Sequence, residues 1–84
     1  MQGNEDGIST EQALEAILHM ASEVLGRQVA ANDNFFAVGG DSLTAVRLLM
    51  EFENFIGEEI EPDSLIDSDS FSDFAYALNL DPTA

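Results

Sequence analysis

Residues 43–56 read as a helix that is apolar on two opposite faces. At about 100° per residue, Ala45, Leu48, Leu49 and Phe52 fall within about 100° of arc, the width of one core-facing stripe. Leu43, Val46 and Met50 lie about 180° away, with Arg47 beside them. A chain of 84 residues has too small a core to bury a helix all round. One face must therefore pack inward, and the other is either presented to a partner or covered by a loop.

The segment just upstream bears on that choice. Gly39 and Gly40 free the backbone of side-chain constraint, and Asp41 is a good N-cap for the helix that follows. Ser42 then falls in the first turn, where unpaired N–H groups and the helix dipole favour a negative group such as a phosphate. A modifiable serine directly ahead of a free apolar face is the arrangement of a docking surface.

The rest of the chain is also helical in pattern. Ser9 with Gln12 predicts a capping box, Leu14, Ile17, Leu18, Ala21 and Leu25 form one stripe, and Gly26 stops the first helix. Residues 27–40 form a long loop anchored by Val29, Phe35 and Phe36, and long ordered loops are usually functional. The second helix runs from Ser42 to Phe55, ending near Gly57. Pro62 suits the first turn of a short third helix around residues 63–66. Ser70 with Asp73 caps a fourth, whose inner face is Phe71, Phe74, Ala75 and Leu78. No alternating strand pattern competes. The expectation is an all-α four-helix bundle, three longer helices and one short, occupying residues 9–80 between a flexible N-terminal tail at 1–8 and a C-terminal tail at 81–84.

Residues 33–49, with Asp33-Asn34-Phe35-Phe36-Ala37-Val38-Gly39-Gly40-Asp41-Ser42-Leu43 at their head, resemble the acyl and peptidyl carrier protein family. The rest of residues 10–80 matches in helix pattern alone. In that family the serine of a Gly-Gly-Asp-Ser or Gly-Gly-His-Ser motif carries a 4′-phosphopantetheine arm, which the resemblance assigns to Ser42, flanked by Gly39, Gly40 and Asp41. It also implies an aromatic ring beneath the loop, supplied by Phe36 or Phe35. The paired glycines look more like a peptidyl carrier of nonribosomal peptide synthesis than a fatty-acid carrier. Val38 stands where peptidyl carriers often have leucine, a conservative difference.

Charge and composition fit that resemblance. Seventeen acids oppose two arginines and no lysine, for a formal charge of −15. So negative a chain does not bind nucleic-acid backbones or anionic membranes, and it favours partners with basic patches. With no cysteine, neither a disulfide framework nor a thiolate metal site can form. No stretch approaches the roughly 18 apolar residues of a membrane span, and residues 1–7 lack the regions of a signal peptide, so a cytoplasmic address is expected.

Rival chemistries fare worse. Gly40-Asp41-Ser42-Leu43 spells the nucleophile motif of an esterase family, but those enzymes need a far longer chain and a histidine downstream. The single histidine, His19, lies upstream and points away from the first helix's apolar stripe, so the serine has no base to activate it. An EF-hand loop begun at Asp67 would place Phe71, Ser72 and Leu78 where an oxygen ligand, glycine and glutamate are required. No metal site is expected. An acidic adaptor without a prosthetic group accounts for the charge but not for the glycines and the serine. A polyketide-type acyl carrier remains the other carrier reading.

The expected function is that of a free-standing, monomeric carrier, inactive alone, presenting an aminoacyl, aryl or acyl thioester to other enzymes. The resemblance implies a phosphopantetheinyl transferase, an adenylating or acyl-loading enzyme, and downstream condensation, ketosynthase or tailoring enzymes as partners. Leu43, Val46, Arg47 and Met50 are the surface expected to meet them.

Overall fold

Ser9 begins the first helix, α1 (Thr10–Leu25), with a reciprocal cap. Its hydroxyl accepts the Gln12 N–H at 3.1 Å, and the Gln12 side chain accepts the Ser9 N–H at 3.0 Å. Gly26 ends the helix at φ 72°, in the left-handed region that side chains disfavour. The computed structural model describes residues 8–80. Of the expected tails, residues 1–7 and 81–84 lie outside that range, while Ile8 packs partly buried against the core.

Three further helices follow: α2 (Ser42–Ile56), α3 (Pro62–Ile66) and α4 (Phe71–Ala77). No strand occurs among the described residues, so the all-α, four-helix expectation holds. α1 packs against α2 and α4, and the short α3 bridges α2 to α4. Pro62 occupies the first turn of α3, where its missing N–H has no intrahelical partner to lose. Leu78 caps α4 from just outside its end and is only partly buried.

The centre of the bundle is aromatic. Phe52 of α2 lies 5.7 Å, ring centre to ring centre, from Phe74 of α4, and Phe35 of the loop meets Phe71 edge-on at 6.3 Å. Ile17, Leu48, Leu49 and Leu65 fill the space between. On α1 the buried residues are Ala13, Ile17 and Ala21, whereas Leu14 and Leu18 are only partly covered. The inward stripe is thus shifted towards Ala13. Two alanines at the contact let the backbones of neighbouring helices approach closely, and the leucines pack along the flanks.

The long loop is tied to α4 by its own backbone. The first N–H groups of α4, on Phe71 and Ser72, donate to the carbonyls of Asp33 and Ala31 at 3.0 and 2.9 Å. Ser70 accepts the next, from Asp73, at 3.1 Å. Asn34 holds both sides: its Oδ1 accepts the Ala37 N–H at 3.0 Å, and its Nδ2 donates to the Asp69 carbonyl at 3.1 Å. Those bonds fix the stretch that delivers the chain to Gly39.

Candidate functional site

From Asn34 the chain winds through tight turns, with Val38 N–H donating to the Asn34 carbonyl at 3.1 Å and Gly39 N–H to that of Phe36 at 3.1 Å. Gly39 sits at φ 105°, which only glycine adopts at ease. Gly40 donates its N–H to the Phe35 carbonyl at 2.9 Å, folding the loop back over the Phe35 ring. A Cβ on Gly40 would land among the Cζ, Cε1 and Cε2 atoms of that ring, closer than real Cβ contacts come. The two glycines therefore have separate causes: one serves a backbone angle, the other a buried aromatic.

Phe35 is the ring beneath the loop, 2% exposed. Phe36, expected as an anchor with it, is instead 45% exposed. Consecutive side chains leave the loop on different sides, so only one of the pair points inward. Val29 and Val38 provide the loop's other buried anchors.

Asp41 caps α2 as expected, and Thr44 completes the cap in a way the sequence reading missed. The Asp41 carboxylate accepts the Thr44 N–H at 2.9 Å, while the Thr44 hydroxyl accepts the Asp41 N–H at 2.7 Å. The Thr44 N–H, then the Thr44 hydroxyl, hold the Asp41 carboxyl below its ordinary range. An S/T/D/N residue followed three positions later by a hydrogen-bonding side chain is the signal that would have found it.

Ser42, the first residue of α2, is exposed. Its own N–H, at the first helical position, has no intrahelical partner. Its hydroxyl has no hydrogen-bond partner among the described residues, a feature it shares with Ser64 and Ser72. The hydroxyls of Ser9, Thr10, Ser22, Thr44, Ser68 and Ser70 are all engaged in hydrogen bonds within the chain. Beyond Ser42 the outer face of α2 is open among the described residues: Leu43 is 71% exposed, Val46 43% and Met50 61%. Arg47 is exposed beside them. Among the described residues no loop folds over them, while Ala45, Leu48, Leu49 and Phe52 on the opposite side are buried, as expected.

No group of three or more His, Asp or Glu side chains among the described residues could hold a metal ion. His19 lies on α1, 3.3 Å from Glu23, and lines a shallow groove of about 450 Å³ with Leu18, Ser22, Gln28 and Val29. Its side chain is largely exposed.

The family model described as "Phosphopantetheine attachment site" matches residues 15–78, well over half of the chain. The chain belongs to that family. Its domains are non-catalytic carriers that hold a covalently attached 4′-phosphopantetheine, and they work with synthetase enzymes and a phosphopantetheinyl transferase in general. The residues present fit such a group: Ser42 is exposed at the start of α2, and neither its hydroxyl nor its amide has a hydrogen-bond partner among the described residues. Among curated relatives, a PF 1022-synthetase of Rosellinia sp. is 38% identical over 66 residues, 77% of this carrier. A cyclosporin synthetase of Tolypocladium inflatum is 31% identical over 77 residues, 90% of it. An enniatin synthase of Fusarium equiseti is 34% identical over 58 residues, 69% of it. The carrier spans 2% of the first of these relatives and a still smaller share of the second. No solved structure matches the chain. None of its described helices is long and apolar enough to cross a membrane.

Proposed function

We propose that Ser42 receives the 4′-phosphopantetheine arm and that the chain is a peptidyl carrier of nonribosomal peptide biosynthesis. The observation that carries this is the placement of an exposed hydroxyl, without a partner among the described residues, at the start of α2 just after the Asp41 cap and the Gly40 turn over the buried Phe35 ring. The similarity to cyclosporin and enniatin synthetases supports the peptidyl type over the polyketide type.

In the attachment step Ser42 Oγ bonds to the phosphorus that bears the pantetheine half of coenzyme A. The bond from that phosphorus to the adenosine bisphosphate half breaks, and the hydroxyl proton passes to a base of the transferase. The carrier contributes position rather than activation, since its one histidine lies on another helix. Once attached, the arm supplies a thiol on which an aminoacyl, aryl or acyl group rides as a thioester. Leu43, Val46, Arg47 and Met50 form the surface read by the transferase, the loading enzyme and the downstream enzymes. On this reading the domain spans residues 9–80, acts as a monomer in the cytoplasm and catalyses nothing alone.

The test is incubation with coenzyme A and a broad-specificity transferase, followed by intact-mass measurement. Wild type should gain one phosphopantetheine, and Ser42→Ala, folded normally because the side chain is at the surface, should gain none. An adduct on Ser42→Ala would move the site elsewhere. A wild type that never gains one would favour the acidic-adaptor reading.

A further inference from the structure

We propose that the transferase surface covering the start of α2 carries a carboxylate at the border of an apolar seat, and that Arg47 is the residue that reads it. This rests on Ser42 as the modified residue.

Cations are scarce here, with two arginines and no lysine against 17 acids. One of the two stands on the exposed face of α2. Arg47 lies four residues after Leu43 and three before Met50, so it shares their side of the helix. Glu51 lies four residues further on, the less favourable order for a helix pair, and no ion pair forms between the two. The only ion-pair geometry among the described residues is His19 with Glu23. An exposed guanidinium thus flanks three exposed apolar side chains with its donors unspent on carboxylates of the described chain. A planar fork of that kind pairs best, and bidentately, with a carboxylate.

The transferase is the partner so specified because it acts at Ser42 Oγ itself. Its active site must rest on the first turns of α2, covering Leu43 and Arg47. Enzymes that act at the thiol can stand off by the length of the arm. The remainder of the carrier's surface calls for basic groups around that seat. The two requirements have opposite signs, which makes them separable. If overall charge alone governed binding, removing Arg47 would make the carrier more acidic and strengthen attraction to a basic partner. A local pair predicts the reverse.

The experiment measures association and dissociation of the apo carrier with a transferase that modifies wild type, first without coenzyme A. Arg47→Met keeps an apolar side chain of similar reach and removes the charge. It should dissociate about tenfold faster with association no slower. Arg47→Lys should fall between wild type and Arg47→Met, and Arg47→Glu should bind more weakly than Arg47→Met. Unchanged melting curves would show that the variants fold. Equal or tighter binding by Arg47→Met would overturn the proposal. So would a loss seen only with coenzyme A present, which would make the coenzyme's phosphates the partner of Arg47. If wild type gains no arm at Ser42, the assignment of Ser42 itself fails, separately from the role of Arg47.

Discussion

Gly40 is where the loop, the core and the start of α2 meet. Its missing Cβ leaves room for the Phe35 ring, and that ring in turn rests edge-on against Phe71. Gly40→Ala should therefore destabilise the fold by about 1–3 kcal/mol through overpacking. In a Phe35→Leu background the same change should cost less, because the ring it strikes is gone. Denaturant unfolding of the four proteins in that double-mutant cycle checks the coupling. Asp41 gives a prediction of a different kind. Its folded carboxyl is held below the ordinary value of 3.8, so the cap's contribution is complete above that pH and is lost as pH falls through the lower folded value. Asp41→Asn keeps an acceptor but does not titrate. It should flatten this part of the acid limb in a melting-temperature profile, and an unchanged limb would assign it to other carboxylates.

At the level of the helix, α2 does two jobs with two faces. Leu49→Ala or Phe52→Ala should cost about 2–5 kcal/mol, since each leaves a cavity in a packed core. Val46→Ala or Met50→Ala should cost under about 1 kcal/mol while impairing modification. Urea unfolding beside a transferase assay separates the two, and equal destabilisation at all four positions would make the outer face structural. These faces were legible in the sequence because helical periodicity and a small core leave few alternatives. Capping residues and the glycines at 26, 39, 40 and 57 marked the helix ends and the turn equally well, each for a local steric or hydrogen-bonding reason. What periodicity could not supply was tertiary choice. Whether Phe35 or Phe36 turns inward depends on the loop's path, itself set by Asn34 and by the amides of α4. Likewise, the preference for Ala13 over Leu14 depends on how closely α1 approaches its neighbours. At the site, the Gly-Gly-Asp-Ser stretch was plain, but the clash that makes the second glycine necessary was not.

For the molecule as a whole, charge sets stability and encounter against each other. With 17 acids and two arginines, like-charge repulsion should weaken the fold at low ionic strength. Screening to about 10 Å at 0.1 M salt should raise the melting temperature. The same salt should slow association with a basic partner. Melting curves and stopped-flow traces across one salt series test both, and a melting temperature that falls with salt would mean that specific ion pairs dominate instead. The proposed carrier role depends on a single covalent bond at the start of α2. Treatment with coenzyme A and a transferase, followed by proteolysis and fragmentation mass spectrometry of the peptide spanning residues 39–47, measures it directly. A phosphopantetheine carried on Ser42 is the predicted result. The same group on another side chain, or no such group on the wild-type chain, would contradict it.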